Sequence, residues 1–169
     1  IGIHREDPDF TAAFVVNEIF GGGRFGTRLM VELRERRGLT YGVGTSVASG
    51  RFGDSFQGRL STDNARVAEV IGLIRDEWAW LAEGGIDAAA LERVQTYLTG
   101  AYPLRFDGNE SIASIMASMQ VQGFDIDYVN VRNDLIRAIT LDDVHRVSAR
   151  LADPDALVFV VVGRPQGLE

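Results

Sequence analysis

With 169 residues, 46% of them hydrophobic and 24% charged, the chain has the composition of one globular domain with a sizeable core. Its formal net charge of -7 argues against nucleic acid or an anionic membrane surface as the main partner, because both attract basic proteins. The lack of cysteine excludes disulfides and thiol catalysis, and two histidines are too few for a three-histidine metal site.

No apolar run approaches the ~18 residues that a membrane helix needs, so no membrane insertion is expected. The first residue is Ile1 rather than an initiator Met, which predicts that the chain is a piece of a longer polypeptide. A protein without cysteine folds in reducing and oxidising compartments alike, so a soluble cytoplasmic and a periplasmic location are both left open.

Hydrophobic periodicity and helix-ending residues divide the chain into helices and a few strands. In chain order they are a strand end at 1–4, a helix begun by Asp7 and Pro8 and ended by Gly21 to Gly23, a helix at about 27–37 ended by Gly38, hairpin strands at 39–49 and 55–61, a long helix at about 67–81, a helix capped by Asp87, helices at about 110–122, 126–138 and 141–151, and a closing strand at 156–163. Thr140 and Asp143 predict a capping box at the start of the last helix.

This order of elements predicts the fold class α+β. We expect a two-layer sandwich in which helices pack on one face of a mostly antiparallel sheet, with residues 1–169 forming a single domain. The hairpin argues against a purely parallel, doubly wound sheet. The closing run ALVFVVVG is continuously apolar, which predicts a central strand covered on both sides or nearly so.

One face of the first hairpin strand carries only small residues, namely Thr40, Gly42, Gly44, Ser46 and Ala48. Such a face predicts that another segment approaches it closely. We favour a helix of the same domain as that segment. The alternative is an extended peptide that pairs with the strand edge.

The segment GGGRFGTR at 21–28 does not fit a phosphate-binding loop. It lacks the lysine of a P-loop, and it follows a predicted helix, whereas P-loops and dinucleotide-binding loops follow a strand. The better interpretation is structural, since glycines end one helix and let the next begin close by.

Other candidate catalytic groups also favour structural roles. A zinc peptidase needs two histidines one helical turn apart, and His4 and His145 are separated by most of the chain. We expect both histidines at the surface or at strand edges. No nucleophile elbow occurs in the sequence. Asp142 and Asp143 are expected to act as first-turn helix charges rather than as an acid–base pair.

The stretch NEIFGGGRFGTRLMVELRERRGLTYGVGTSVASG, residues 17–50, resembles the second-half domain of the inverted-zincin metallopeptidases. That family includes pitrilysin, insulin-degrading enzyme, the mitochondrial processing peptidase and many two-domain bacterial homologues. The shared pattern is Asn-Glu, Leu-Gly-Gly, Ser-Arg-Leu, Leu-Arg, Gly-Leu and Tyr, with Thr27 here in place of serine. The resemblance continues in EGGIDAAALERV, in DYVNVRNDLIRAITLDDV and in ALVFVVVG, so it covers nearly the whole chain.

The resemblance implies a processing-peptidase-like metallohydrolase domain that occurs as two similar halves. One half carries His-x-x-Glu-His and binds zinc, while the other supplies an arginine–tyrosine pair, here Arg34 and Tyr41. Arg34 lies late in a predicted helix and Tyr41 on the strand after it, so the turn at Gly38 can bring both side chains to one edge. A guanidinium can donate two hydrogen bonds to a peptide carbonyl or carboxylate. A phenol can donate to the oxyanion that forms on the attacked carbonyl.

The resemblance therefore predicts the zinc-less C-terminal half of a metallopeptidase, in which Arg34 and Tyr41 assist substrate binding and the transition state. We expect no metal and no catalytic residue in this chain, and zinc in the missing half. Expected partners are an N-terminal zinc-binding half or partner subunit and a peptide substrate, with a homodimer as a further option. The alternatives are a non-catalytic scaffold resembling the core subunits of the cytochrome bc1 complex and, less favoured, a small-molecule domain with a closed apolar pocket.

Overall fold

A computed structural model describes residues 2–50 and 52–168. Ile1, Arg51 and Glu169 belong to the predicted strand end, hairpin turn and domain end, and they lie outside the described residues. The described elements are α1 (Phe10–Phe20), a π-helical segment (Met30–Glu35), β1 (Val43–Gly50), β2 (Gly53–Leu60), α2 (Val67–Ala82), α3 (Ala88–Ala101), α4 (Asn109–Val121), α5 (Tyr128–Ala138) and α6 (Leu141–Leu151). Short 3-10 turns, Asn64–Arg66 and Pro103–Phe106, precede α2 and α4.

Helices packed around one antiparallel hairpin give the α+β fold that the sequence predicts. Among the described residues, β1 and β2 form a two-stranded sheet whose register runs from Val43 opposite Leu60 to Gly50 opposite Gly53. The hydrophobic core combines buried side chains from α1, α2, α3, α5 and α6 with Val43 of β1. The hairpin therefore rests on the helices.

Aromatic contacts join the hairpin to the two helices beneath it. The ring of Phe20, at the end of α1, meets Trp78 of α2 edge to face with 4.9 Å between ring centres. Phe56 of β2 lies 5.5 Å from Trp78. Phe20 is fully buried and Trp78 is 4% exposed, so this cluster anchors α1, α2 and β2 to one another.

The glycine-rich segment after α1 contacts β1 through Gly21. Its carbonyl accepts a hydrogen bond from the N–H of Thr45, which ties the end of α1 to β1. A Cβ at Gly21 would lie 2.5 Å from the Thr45 hydroxyl oxygen, closer than two such atoms can approach. The absence of a side chain therefore lets the chain after α1 touch the strand, as the structural interpretation predicts.

Local capping signals locate several helix ends. The Asp87 side chain accepts from the N–H of Ala90 at 2.7 Å, and Thr140 with Asp143 forms the predicted capping box of α6. The start of α1 was predicted too early, because Asp7 accepts from the N–H of Asp9 and holds a turn before the helix. The helix predicted at 27–37 is present, but its centre is π-helical.

Two strand predictions are wrong. Residues 156–163 form no strand, and the backbone of 157–163 makes no hydrogen bond within the described part of the chain. Val158, Val160 and Val162 are 86%, 86% and 96% exposed. Residues 2–4 form no strand either, although Ile3 is fully buried. Apolar content alone predicted these strands, and a strand also requires a hydrogen-bonding neighbour.

The first hairpin strand begins at Val43 rather than at Leu39, and its small-residue face is only partly covered. A Cβ at Gly44 would lie 3.5 Å from the Gly21 carbonyl oxygen, so the approaching segment is the glycine backbone after α1. Ser46 and Ala48 are exposed. The prediction of a helix packed on this face is therefore wrong along most of its length.

Candidate functional site

Arg34 lies near the end of the π-helical segment, and the described residues leave its hydrogen-bond donors uncommitted. The side chain is half-buried, and its Cζ lies 4.8 Å from the centre of the Phe25 ring. A cation over an aromatic face is held in place without using its N–H donors. Within the described residues the Arg34 guanidinium makes no hydrogen bond or salt bridge. Its paired donors are therefore available to a carbonyl or carboxylate.

The neighbouring arginines are committed to carboxylates instead. Their contacts are those of Arg28 with Glu77, at 2.6 and 3.1 Å, and those of Arg36 and Arg37 with Glu32, at 2.5 and 2.6 Å. The hydrogen bonds that Arg28 donates to Glu77 raise the pKa of Arg28 above its ordinary value. The contrast indicates that Arg34 is left free by its position on the segment and not by a general lack of acidic partners.

Glu32, within this segment, is the buried carboxylate that pairs with Arg36 and Arg37. It is 3% exposed. Burial acts to raise the pKa of the Glu32 carboxyl, but the hydrogen bond from Arg37 and the charges of three nearby arginines outweigh burial and hold the pKa below its ordinary value. The carboxylate is therefore ionised at neutral pH and holds basic side chains from both ends of the segment.

A left-handed glycine turns the chain from Arg34 toward Tyr41. Gly38 has φ +61°, a conformation that favours glycine. Its N–H donates to the Arg34 carbonyl at 3.0 Å, and the N–H of Leu39 donates to the Leu33 carbonyl at 2.8 Å. These bonds close the helical segment and fix the direction in which the chain leaves it.

Tyr41 precedes β1 and projects into solvent. It is 98% exposed, although aromatic side chains usually bury much of their surface. The backbone around it is nevertheless held, because the Thr40 hydroxyl donates to the Gly42 carbonyl at 2.8 Å and accepts from the Gly42 N–H at 3.1 Å. The Thr62 hydroxyl also donates to the Leu39 carbonyl at 2.6 Å. A phenol on a fixed backbone can contact a ligand with little loss of chain entropy.

Two features of this site were missed in the sequence. The first is the π-helical geometry, seen where the N–H of Arg36 donates to the carbonyl of Val31 at 3.0 Å. π-Helical turns occur frequently at functional sites. The second is Phe25, which is 72% exposed and supports Arg34. An aromatic residue between glycines in GGGRFG was the available signal for Phe25.

The two histidines make contacts to main-chain groups. His4 is exposed, and its Nδ1 accepts from the N–H of Glu6 at 3.3 Å. His145 is half-buried on α6, with its Nε2 2.8 Å from the Ile86 carbonyl oxygen. In residues 2–50 and 52–168, no three His, Asp or Glu side chains are placed to hold a metal ion.

Asp142 and Asp143 lie in the first turn of α6, as predicted. Hydrogen bonds from the side chain and backbone of Thr140 and from Arg146 lower the pKa of Asp143 to about 2. Asp143 is therefore a helix cap rather than a proton donor near neutral pH. No helix in the described part of the chain is long and apolar enough to cross a bilayer.

Comparison with known proteins identifies a family, a relative in sequence and two solved structures of similar fold. Residues 3–98 match the family described as Peptidase M16 inactive domain. A zinc protease of Streptomyces coelicolor is 30% identical over 152 residues, which cover 87% of this chain and 32% of that protein. The crystal structure of a peptidase M16 inactive domain from Pseudomonas fluorescens has a TM-score of 0.79 and 29% identity, and covers 91% of this chain and 36% of that one.

A chain of Complex III2 from Candida albicans shares the fold, with a TM-score of 0.68 and 17% identity. That alignment covers 88% of this chain and 37% of the Candida albicans chain. The chain spans 32% of the Streptomyces coelicolor protein, 36% of the Pseudomonas fluorescens chain and 37% of the Candida albicans chain, about a third of each.

Proposed function

Because the chain belongs to the family of peptidase M16 inactive domains, we propose that it is the C-terminal substrate-binding domain of a zinc-dependent metalloendopeptidase. In this proposal the domain assists peptide-bond hydrolysis that a zinc-bearing N-terminal half or partner subunit catalyses. The described residues of this chain offer no ligand set for zinc, so every role assigned below belongs to the chain's own side chains.

The uncommitted guanidinium of Arg34 is the observation that carries the proposal. It can donate two parallel N–H bonds to a carbonyl or carboxylate of a bound peptide, and stacking on Phe25 keeps it in position. Tyr41, beyond the bend at Gly38, can donate its O–H to the oxygen that gains negative charge during attack on the scissile carbonyl. Within residues 2–50 and 52–168, neither donor has a hydrogen-bond partner that must be released before substrate binds.

The test is peptide hydrolysis by the full-length protein with Arg34→Ala or Tyr41→Phe. Each change removes a donor from the developing oxyanion or its neighbouring carbonyl, so kcat/KM should fall by roughly a hundredfold. Arg93→Ala and Tyr97→Phe are matched controls on α3, and both should leave hydrolysis unchanged. Equal turnover by wild type, Arg34→Ala and Tyr41→Phe would remove the proposed assisting role.

A second candidate is a non-catalytic scaffold like the core subunits of the cytochrome bc1 complex. The shared fold with a chain of Complex III2 favours it. The two candidates differ in what must accompany this chain. A His-x-x-Glu-His sequence upstream of Ile1, or on a co-purifying subunit, supports the peptidase, and an assembly that lacks this motif and hydrolyses no peptide supports the scaffold.

A further inference from the structure

A cavity of about 440 Å³ opens among α1, α4 and α5, and it shares no residue with the bend that carries Arg34 and Tyr41. Its size falls within the usual range for small-molecule sites. Much of its wall is apolar, formed by Phe10, Phe14, Ile115, Met119, Phe124 and Ile136. Three arginines also line it, and its described lining contains no Asp or Glu. This is a local excess of positive charge in a chain whose net charge is -7.

Arg132 of α5 is the buried cation of this cavity. It is 8% exposed, and within the described residues it forms no salt bridge. Its Nη1 donates to the Leu98 carbonyl at 3.3 Å and to the Asn133 side-chain oxygen at 3.2 Å, both long bonds to neutral acceptors. Burial lowers the pKa of Arg132 below its ordinary value. A buried guanidinium without a carboxylate is costly unless a ligand supplies the negative charge.

The tyrosines beside Arg132 do not supply that charge. The Arg132 Cζ lies 4.2 Å from the centre of the Tyr102 ring, a contact with the neutral aromatic face. Burial raises the pKa of Tyr128 above its ordinary value, so its phenol stays protonated near neutral pH. Glu18 attracts Arg132 only from a distance, and its carboxylate pairs with Arg24 at 3.2 Å.

Two further arginines border the same space. Arg5 stacks over Phe124, with 4.7 Å from its Cζ to the ring centre, and donates to the Gln122 side-chain oxygen at 2.6 Å. Arg105 is exposed, and its charge acts to lower the pKa of Arg132. The described residues give Arg105 no hydrogen bond or salt bridge. The cavity thus has a buried cation at its wall and a free cation at its rim.

We propose that this cavity binds a small organic carboxylate with an apolar body. The planar fork of Arg132 matches a carboxylate, Arg105 adds charge from the rim, and the aromatic wall takes the remainder of the ligand. Inorganic phosphate fits less well, because its strongly hydrated charge would face mostly apolar side chains. The site is independent of the proposed peptidase role, since it uses neither Arg34 nor Tyr41.

Calorimetric titration of the purified protein with 3-phenylpropionate tests the proposal, with 3-phenylpropionamide as the neutral match. We expect saturable binding of the acid and none of the amide. Arg132→Gln should weaken binding by about tenfold to a hundredfold, because it removes charge-assisted hydrogen bonds. Arg105→Gln should weaken it by about threefold, as for an exposed ion pair. Arg137→Gln, an exposed arginine of α5 outside the cavity, is the control and should bind like wild type.

Circular dichroism identifies any variant that fails to fold. If Arg132→Gln fails to fold, the binding affinity of Arg105→Gln alone decides the outcome. A parallel titration with N-acetyl-alanyl-phenylalanine distinguishes two sources of the carboxylate. Tighter binding of this peptide acid assigns the site to a peptide C-terminus, and tighter binding of 3-phenylpropionate assigns it to a free acid. Lack of saturable binding by both acids, equal binding of the amide, or unchanged binding by the folded arginine variants would overturn the proposal.

Discussion

At the scale of a residue, the absence of a side chain at Gly21 allows α1 and β1 to approach closely. A Cβ there would lie 2.5 Å from the Thr45 hydroxyl oxygen and 3.1 Å from a methyl group of Leu29. We predict that Gly21→Ala lowers the free energy of unfolding by about 1–3 kcal/mol, because α1 and β1 must separate to admit the side chain. Urea denaturation measures the change.

Gly72 on α2 is the matched control for that prediction. It is exposed, and a Cβ there would meet no atom within 4 Å. Gly72→Ala should raise the free energy of unfolding by about 0.5–1 kcal/mol, since alanine loses less backbone entropy in a helix. Changes of the same sign in both variants would mean that contact with Thr45 does not explain Gly21.

Glu32 carries a buried charge, and removing that charge should destabilise the folded protein. Glu32→Gln removes a buried carboxylate that holds Arg36 and Arg37, and it should lower the free energy of unfolding by about 1–3 kcal/mol at pH 7. Urea denaturation of both proteins across pH measures this. Glu35→Gln, at an exposed neighbour, should change stability by less than about 0.5 kcal/mol.

The effect of Glu32 should depend on pH in a defined direction. The pKa of this carboxyl is lower in the folded protein than its ordinary value of 4.5. Its contribution is therefore fully present above pH 4.5 and is lost as the pH falls through the lower folded-state pKa. The difference between wild type and Glu32→Gln should shrink in acid. A difference that stays constant to low pH would show that packing, and not charge, is responsible.

At the scale of elements, α6 is the helix whose start is best defined by its sequence. The Thr140 hydroxyl accepts from the Asp143 N–H at 3.2 Å, and the Asp143 carboxylate accepts from the Thr140 N–H at 3.0 Å. Thr140→Ala should lower the free energy of unfolding by about 1 kcal/mol, because a first-turn N–H loses its acceptor. Thermal unfolding followed by circular dichroism measures this. Asp142→Asn, outside the box, should have a much smaller effect, and equal effects would contradict the capping role.

The elements also show which parts of the fold were predictable. The cap at Thr140 was predicted correctly because its partner is three residues away in the sequence. The strand at 156–163 was not, because a strand depends on a hydrogen-bonding neighbour that its own apolar residues do not specify. The family match over residues 3–98 confirms the resemblance carried by residues 17–50. That pattern could be recognised because the spacing of glycine and arginine around a turn is local to the sequence.

The candidate site was predictable to a similar degree. The turn at Gly38 follows from a glycine after a helical pattern, so the bend between Arg34 and Tyr41 was expected. The π-helical geometry was not, because it depends on how the segment packs. The cavity around Arg132 could not be predicted at all, because Arg5 and Gln122 meet there across 117 positions of sequence.

At the scale of the whole molecule, ion pairs join α6 to the turn that precedes α1. Arg150 of α6 binds Asp7 at 2.6 Å and Asp9 at 3.0 Å. Among the described residues, the buried core contains side chains from α1, α2, α3, α5 and α6 but none from α4. That residues 1–169 form one domain stays a prediction from the sequence.

A single domain, as the sequence predicts, should unfold in one step. Trp78 and Trp80 both lie on α2, and Trp78 is buried in the core. Tryptophan fluorescence should therefore shift in the same range of urea as the helical signal in far-ultraviolet circular dichroism. The two transitions should therefore have the same midpoint. Loss of fluorescence well before loss of helix would instead indicate that the hairpin with α2 and the remaining helices unfold as separate units.

The outward-facing valines at 158, 160 and 162 have a consequence for handling the protein in solution. They are β-branched, and the N–H and C=O groups of 157–163 have no partner among the described residues. Such a segment is a template on which another copy can add a strand. The apparent molar mass of this chain purified by itself, measured by light scattering, should therefore rise with protein concentration. A partner that covers the valines should keep the apparent molar mass constant.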